Sequence, residues 1–239
     1  MGAFRMTARH SSTQAGVFAG LHKLVVLAPH PDDETLGCGT LLARAFAGSG
    51  AHVICLTDGS ASHPRSTQWP PDRLARQRRT EMEQALAHLG GTADDLTWLG
   101  LPDSKTYLCD PAQIAVALAE RITATGARYV FAPAPEDHHI DHKVTARAAR
   151  LVRAMQPDWT FYSYPVWSRW EDRDFKRRIA HHALVCLAPS HFAAQKRAAL
   201  YAHQSQLGTV VPDDPDGFVL PAAFVEAFLN GDELFWEMA

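Results

Sequence analysis

Short apolar runs alternate with longer amphipathic segments along most of this chain. Apolar runs bounded by Gly, Pro, Asp or Ser are typical of buried strands, and apolar residues spaced three and four apart predict helices. The pattern predicts strands at Leu24–Ala28, His52–Thr57, Leu96–Leu101, Tyr129–Ala132, Thr160–Val166 and Ala183–Leu187. It predicts helices at Leu36–Ala47, Arg73–Leu89, Pro111–Thr125, Asp141–Met155, Ser190–His203 and Phe224–Leu229.

The regular alternation of strands and helices predicts the fold class. Strand–helix–strand units favour a parallel sheet with helices on both faces, and right-handed crossovers bring the carboxyl ends of the strands to one edge. We therefore predict an α/β protein, a Rossmann-like three-layer sandwich with a mostly parallel sheet. Residues 21–239 are predicted to form one domain, and the polar residues 1–20 are predicted to form a flexible tail.

Composition narrows the class of protein. The 239 residues are 46% apolar and 21% charged, as in ordinary globular proteins, and a net charge of −3 gives no general attraction to nucleic acid or anionic membranes. The four cysteines are scattered, without a C-x-x-C pair, which fits a reducing compartment. No apolar run approaches the ~18 residues of a membrane span, and no signal peptide is visible. We expect a cytoplasmic protein.

The first predicted strand is followed directly by Pro-His-Pro-Asp-Asp-Glu, residues 29–34. The adjacent carboxylates of Asp32 and Asp33 repel each other unless a cation or a proton relieves them. A solvated turn with helix-capping Asp is the simpler explanation of the acidic residues alone. His30, placed just before them at a strand end, favours a site instead.

A second polar cluster, Glu136–His142, follows the predicted strand Tyr129–Ala132. His139 and His142 stand three apart at a helix start, so one turn brings them near each other; an exposed pair of imidazoles is the alternative. Both clusters follow strands, where open α/β sheets bind ligands. Two His and one Asp satisfy a catalytic zinc and leave one position open. The sequence thus predicts a metal-dependent hydrolase.

These segments resemble the LmbE-like zinc N-deacetylases, also called the PIG-L family. The matching segments are Pro29–Glu34, His139–His142, Arg78-x-x-Glu81, Leu101–Asp103 and His203-x-Ser205-Gln206, and the resemblance extends from about Leu24 to Phe228. Members of the family remove the acetyl group from N-acetylglucosamine linked to inositol, phosphatidylinositol, malate or other groups. The resemblance therefore implies a small-molecule amino-sugar conjugate as substrate. The family includes oligomers, so a homo-oligomer remains open.

The resemblance also implies a metal site in which His30, Asp33 and His142 bind Zn²⁺. Ferrous iron is an alternative, because His and carboxylate ligands suit both metals. Zinc polarises an amide carbonyl and brings the pKa of bound water to about 7.

Roles for three further residues are implied by the resemblance. Asp32 would be the general base that deprotonates the attacking water. His139 would stabilise the developing oxyanion and protonate the leaving amine. Asp141 would orient His139, fix its tautomer and favour its protonated form.

Two residues are predicted to contact the substrate. Arg78 shares an otherwise apolar stripe of its helix, so it either extends out to solvent or reaches a polar site, and the family places a substrate-contacting Arg in this region. Arg76 and Arg79 are the alternatives. Asp103 follows a strand and could bind sugar hydroxyls, although a turn-forming Asp explains it equally well.

Other polar and aromatic residues lie on the same predicted edge. The long loop 60–71 is either a substrate lid or a plain exposed loop. Three further candidates for a sugar pocket are Trp167, Arg169 and Trp170. Tyr164 is also a candidate, with core packing as the simpler explanation.

Two other functions compete with the deacetylase. Nucleotide binding through Gly37 and Gly39 is disfavoured, because three acidic residues separate the first strand from these glycines and repel phosphate. A non-catalytic metal- or sugar-binding relative would not require both Asp32 and His139. An amidase of the same chemistry, acting on another acyl group or amine, stays open.

Overall fold

The computed structural model describes residues 22–238. Their strands are β1 (Leu24–Ala28), β2 (Ala51–Thr57), β3 (Leu96–Leu101), β4 (Tyr129–Pro133), β5 (Thr160–Tyr164), β6 (Leu184–Leu187) and β7 (Glu233–Glu237). They form one sheet in the order β3-β2-β1-β4-β5-β7-β6. Strands β1 to β5 pair in parallel, and β7 lies antiparallel to both β5 and β6.

Eight α-helices lie in the described part of the chain. They are α1 (Asp33–Phe46), α2 (Pro71–Leu89), α3 (Pro111–Thr125), α4 (Ile140–Met155), α5 (Trp167–Glu171), α6 (Phe175–Arg178), α7 (Ala193–Ala202) and α8 (Ala222–Asn230). Helix α3 begins after Asp110, whose side chain accepts a hydrogen bond from the Ala112 amide, and it ends at a left-handed Gly126. Helix α2 likewise ends at a left-handed Gly90. These residues terminate the helices where their sequence preferences predict.

The sheet divides the hydrophobic core into two layers. Strand β1 is buried on both faces, and its alternate residues point to opposite layers. Leu24, Val26 and Ala28 pack in the layer that contains the apolar faces of α1, α2, α7 and α8. Val25 and Leu27 pack in the layer formed with α3 and α4. The predicted α/β sandwich with helices on both faces is confirmed.

Glycine allows α1 to approach the sheet closely. A Cβ atom at Gly37 would lie 2.3 Å from Cδ2 of Tyr164 on β5. Tyr164 is fully buried, and its hydroxyl donates to the carbonyl of Leu27. Gly37 is therefore a packing residue, and Tyr164 is a core residue rather than part of a sugar pocket.

Some element boundaries differ from the prediction. Helix α1 begins at Asp33, so Asp33 and Glu34 lie in its first turn instead of preceding it. Strand β5 ends at Tyr164 rather than Val166, and the pattern did not reveal β7, α5 or α6. The expected tail, residues 1–20, lies outside the described residues, and the division into one domain remains a prediction.

The strand order creates a crevice at one edge of the sheet. The chain leaves β1 toward β2 on one side, whereas β4 lies on the other side of β1. Such a reversal of direction opens a crevice at the carboxyl ends of the two strands, where ligands bind in this class of fold. Residues 29–32 follow β1 and residues 134–139 follow β4, so both polar clusters meet at this crevice.

Candidate active site

Asp33 lies at the centre of the two clusters. Its Oδ2 atom is 3.1 Å from Nδ1 of His30 and also 3.1 Å from Nε2 of His142. Two ligand atoms bound tetrahedrally to one zinc at 2.0–2.1 Å are about 3.3 Å apart. The three predicted ligands are therefore brought together at separations that suit a shared ion.

A second carboxylate lies behind each imidazole. Nε2 of His30 is 3.0 Å from Oδ2 of Asp141, and Nδ1 of His142 is 2.9 Å from Oδ2 of Asp137. An ionised carboxylate only accepts, so each of these nitrogens donates and the opposite nitrogen carries a lone pair. Carboxylates fix metal-binding imidazoles in this way.

The remaining ring nitrogens, Nδ1 of His30 and Nε2 of His142, both face Oδ2 of Asp33. A cation placed among these three atoms would satisfy all of them. Nε2 of His142 is buried and has no hydrogen-bond partner, although Asp33 lies beside it. Burial lowers the pKa of His142, but the charges of Asp33 and Asp137 outweigh it and raise that pKa to about 9. The pKa of His30 is also raised, because its three carboxylate contacts outweigh burial. Protons and a metal ion compete for the same lone pairs, so the donor set fits a divalent cation.

Sequence reasoning assigned no role to Asp137. Its side chain is fully buried and accepts hydrogen bonds from the amides of Val166 and Ser168, at 3.0 and 2.8 Å, and from the Ser168 hydroxyl at 2.6 Å. The loop after β5 therefore holds the carboxylate that orients His142. The available signal was an acidic residue four positions after the end of β4, at the edge where the other site residues follow their strands.

Two alternative ligand groupings exist among the described residues. The ligand atoms of His30, His139 and His142 lie within 4.8 Å of one another, as do those of His30, Asp103 and Asp141. His139 therefore lies within reach of an ion bound to the other two imidazoles. In the second grouping, the His30 atom near both carboxylates is Nε2, and this nitrogen already donates to Asp141.

The structure corrects the expected relation between His139 and Asp141. The Asp141 carboxylate accepts from His30, from the amide of Ser104 and from Thr106, and it lies 3.9 Å from Nδ1 of His139. The backbone amide of Asp141 instead donates to Nδ1 of His139, at 3.2 Å. Asp141 thus sets the tautomer of His139 through its amide, because its carboxylate is already occupied.

The surroundings of His139 also disfavour its protonated form, contrary to the expectation from the sequence. Burial lowers its pKa to about 4, and the neighbouring His30 and His142 add to this effect. The ring makes an edge-on contact with His30 at 4.6 Å between centroids, and 29% of the side chain is exposed. A neutral His139 with Nδ1 accepting carries its hydrogen on Nε2.

Asp32 lies beside this group without contacting the imidazoles. Nη2 of Arg78 lies 3.2 Å from its Oδ2 atom. Burial raises the pKa of Asp32 to about 7; Arg78 opposes that rise and Asp33 adds to it. Arg78 is itself buried and donates to the carbonyls of Pro31 and Gly59, at 2.7 and 2.9 Å. The guanidinium therefore anchors the loop that carries Asp32.

Asp103 completes a polar wall that also contains His30, Asp32 and Arg78. It accepts from the amide of Ala61, and its other oxygen lies 3.4 Å from Nε2 of His30. Although burial raises it, contact with His30 and the charge of Arg78 lower the pKa of Asp103 below its usual value. Asp103 is thus ionised and partly engaged within the protein.

These residues border a cavity of about 180 Å³. Six of the eight predicted site residues line it, together with six further residues. The lining residues are His30, Asp32, Asp33, Arg78, Asp103, His139, Ala61, Ser62, Ser104, Trp167, Gln206 and Phe218. Asp141 and His142 lie fully buried behind this wall.

The other candidates for the sugar pocket separate into two groups. Loop 60–71 contributes Ala61 and Ser62 to the lining, and α5 contributes Trp167. Trp170 packs edge-on against Phe224, and Arg169 donates to the carbonyl of Asp232. These last two side chains stabilise the packing of α5 and do not line the cavity.

The comparisons with known proteins identify the family. Residues 25–153 match the family model for PIG-L, described as GlcNAc-PI de-N-acetylase. The chain belongs to the PIG-L family. The resemblance inferred from the sequence motifs is thereby confirmed.

Two curated relatives of the chain are named as deacetylases. The chain is 33% identical over 207 residues to 2'-N-acetylparomamine deacetylase of Streptomyces fradiae, covering 77% of this chain and 73% of that protein. It is 30% identical over 146 residues to 1D-myo-inositol 2-acetamido-2-deoxy-alpha-D-glucopyranoside deacetylase of Kineococcus radiotolerans, covering 56% and 37% of the two chains.

The fold is shared with a solved deacetylase. N,N'-diacetylchitobiose deacetylase from Pyrococcus horikoshii superimposes with a TM-score of 0.70, covering 94% of this chain and 86% of that one, at 19% identity. This likeness supports the fold alone. Within residues 22–238, no helix is both long enough and apolar enough to span a membrane.

Proposed function

We propose that this PIG-L protein is a metal-dependent N-deacetylase that hydrolyses the acetamido group of an N-acetylglucosamine-type sugar conjugate. The observation that carries the proposal is the convergence of His30 and His142 on one oxygen of Asp33, each imidazole oriented by a second carboxylate. A further carboxylate, Asp32, faces the same cavity. Family membership and the deacetylase relatives support the same reaction.

We assign the metal to His30, Asp33 and His142, and we propose zinc, with ferrous iron as the alternative. Three protein ligands leave a position open, as catalytic zinc sites require. When bound, the cation supplies a Lewis acid that polarises a carbonyl and makes water more acidic. His139 remains available for a different role because its Nδ1 atom already accepts from the Asp141 amide.

Asp32 acts as the general base in this proposal. Its carboxylate borders the cavity and is buried, and Arg78 restrains one of its oxygens. It takes one proton from water as the water oxygen bonds to the acetyl carbon, and it returns a proton to the amide nitrogen as the C–N bond breaks. The products are acetate and a free amine.

His139 stabilises the charge that develops on the carbonyl oxygen. Because its Nδ1 accepts a hydrogen bond from the protein, its neutral ring presents Nε2–H as a donor from the edge of the cavity. A preorganised donor aimed at a developing oxyanion is worth about 10²–10³ in rate.

The remaining lining suits a sugar. Trp167 and Phe218 form an apolar patch beside the polar wall, with ring centroids 5.7 Å apart, and Phe218 is 39% exposed. Asp103, Ser62 and Ser104 supply hydrogen-bonding groups around it. We propose that Asp103 binds a sugar hydroxyl and that Arg78 lies at the substrate-binding wall while it anchors the Asp32 loop. An acetylated amino sugar related to 2'-N-acetylparomamine is the first substrate to test.

Acetate release from a panel of substrates tests the proposal. The panel contains 2'-N-acetylparomamine, the acetylglucosaminyl inositol, N-acetylglucosamine and, for the alternative amidase, N-formyl and N-propionyl analogues. We expect release of acetate that a chelator abolishes and Zn²⁺ or Fe²⁺ restores. Lack of turnover on every acetamido sugar by metal-loaded protein would overturn the assignment, and faster turnover of the formyl or propionyl analogues would favour the amidase.

A further inference from the structure

The backbone of the proposed general base has an unusual conformation. Asp32 has a φ of 121° and a ψ of −30°, a left-handed region that non-glycine residues rarely adopt. Such a conformation persists only where the surrounding structure holds it, and it is concentrated at functional sites. Because the side chain leaves the backbone at Cα, this conformation also sets the direction of the Asp32 carboxylate.

A buried glutamate holds the Asp32 peptide. Oε2 of Glu34 accepts the Asp32 amide hydrogen at 2.9 Å, and the Glu34 side chain is fully buried. Its other oxygen, Oε1, accepts from the hydroxyl of Thr35 at 2.6 Å and from Nε2 of His203 at 3.1 Å. Glu34 does not line the cavity, so it acts through Asp32 rather than on a substrate.

His203 provides the partner that a buried carboxylate needs. It is fully buried at the end of α7, far from Glu34 in sequence. A buried polar group without a partner is strongly unfavourable, so the contact with His203 fixes the Glu34 side chain in place. The weak His203-x-Ser205-Gln206 motif thereby acquires a physical role.

Helix α2 ties the same segments together from the other side. Arg78 donates to the Pro31 carbonyl and to the Asp32 carboxylate, and Glu81, one turn later, accepts from the amide and hydroxyl of Ser205 at 2.9 and 2.7 Å. Segment 203–205 is therefore linked both to the loop of Asp32 and to the helix that restrains its carboxylate.

We propose that Glu34 and His203 are positioning residues that hold Asp32, through its amide, in the left-handed conformation required for catalysis. This inference rests on the proposed function of Asp32 as the general base. It assigns to Glu34 neither metal binding nor proton transfer. A displacement of about 1 Å in a catalytic group costs up to about 10²-fold in rate, and loss of the Glu34 contact releases the peptide that sets the direction of Asp32.

Glu34→Ala and Glu34→Gln, compared with wild type, test the proposal. Gln keeps an oxygen that accepts the Asp32 amide hydrogen, whereas Ala removes it. We expect Glu34→Ala to lower kcat about 10²-fold, with KM and bound metal near the wild-type values, and Glu34→Gln to recover most of the lost kcat. Thr97→Val, which removes a half-buried hydrogen bond to His52 between β2 and β3, is the matched control and should keep kcat.

Three outcomes would overturn the inference. They are wild-type kcat in Glu34→Ala, equal losses in Glu34→Ala and Glu34→Gln, or loss of metal along with activity. If Glu34→Ala does not fold, Glu34→Asp replaces it, because the shorter side chain keeps the charge but withdraws from the Asp32 amide. Glu34→Asp should then lower kcat to a similar extent, and a wild-type kcat in that variant also rejects the inference.

Hydrogen exchange of the Asp32 amide separates this inference from the proposed function. The amide should exchange slowly in wild type and in Glu34→Gln, and faster in Glu34→Ala or Glu34→Asp, whether or not a substrate is turned over. An inactive wild type with this exchange pattern would reject the deacetylase and keep the restraint on Asp32. An active wild type with unchanged exchange in the variants would keep the deacetylase and reject the restraint on Asp32.

Discussion

Single residues determine whether the site can hold a cation. One ring nitrogen of His30 donates a hydrogen bond to Asp141, and one ring nitrogen of His142 donates to Asp137. The other nitrogen of each ring faces Asp33. Helix α1 begins between Asp32 and Asp33. Because of this, the Asp33 carboxylate faces both imidazoles, whereas the Asp32 carboxylate contacts Arg78. Two adjacent carboxylates thereby have different partners and different chemistry.

Asp32→Asn should bind metal normally and lose most turnover. The amide cannot accept a proton from water, and loss of a general base lowers the rate about 10²–10⁴-fold. Measurement of kcat together with metal content per chain checks this. Turnover at the wild-type rate would show that another group is the base.

Asp137→Asn should weaken metal binding while His30, Asp33 and His142 all remain. Removal of a carboxylate that orients a ligating imidazole lowers metal affinity about 10–100-fold. Competition with a chelating dye measures the dissociation constant, and Asp174→Asn, at an exposed carboxylate, is the control. Unchanged affinity in Asp137→Asn would mean that His142 is not a ligand.

The sequence motifs predicted which residues form the candidate site, but they did not predict which groups of the protein those residues contact. Pro29–Glu34 and His139–His142 are short segments that follow strands, so their placement follows from fold class alone. The partners of each side chain depend on loops that meet only after folding. Asp137 is held by the loop after β5, and Asp141 contacts His30 rather than His139 for the same reason.

At the scale of elements, contact between α1 and the sheet places the site. Helix α1 begins at Asp33 and crosses β5 at Gly37, where only hydrogen fits against Tyr164. The first turn of α1 therefore holds Asp33, the proposed carboxylate ligand, at a fixed height above the strand ends. This placement of α1 depends on the steric fit between Gly37 and Tyr164, so the free energy of unfolding of a Gly37 variant tests it.

Gly37→Ala should destabilise the protein by about 1–3 kcal/mol, because the added methyl overlaps the Tyr164 ring. Urea unfolding gives the change in free energy. Gly48→Ala, near the end of the same helix, is the control, since the nearest atoms there are 3.7 Å or more away. Equal effects in both variants would reject the packing argument.

Periodicity predicted the strands with strong local signals and missed β7, the strand without one. Strands β1 to β4 are apolar runs closed by Gly, Pro or Asp, so their identity is local. Strand β7 has acidic residues at both ends. The buried Glu233 is paired with Lys196 of α7 at 2.7 Å and accepts from the amides of Thr40 and Leu41. A strand whose burial depends on a distant partner carries no local signal.

At the scale of the whole molecule, the proposed metal centre joins distant parts of the chain. His30 and Asp33 come from the segment after β1, and His142 comes from α4. An unfolded chain cannot present these ligands together, so a cation that binds here favours the folded state.

Metal binding should therefore raise the thermal midpoint. A free cation at 100 times its dissociation constant adds about 2.7 kcal/mol to the free energy of unfolding. Thermal denaturation with Zn²⁺, and after chelation, measures this shift. His142→Ala should lose metal, activity and the shift together, because two remaining ligands hold zinc poorly. A shift that persists in His142→Ala would place the ion elsewhere.

The position of β7 has a consequence for synthesis of the protein on the ribosome. This strand lies between β5 and β6, and among the described strands β6 pairs with β7 alone. Until residues 233–237 emerge, β5 and β6 both lack their pairing with β7, and Lys196 lacks the carboxylate of Glu233. Ribosomes that stall or terminate before Glu233 will thus release chains that contain all three proposed metal ligands but whose open strand edge invites aggregation.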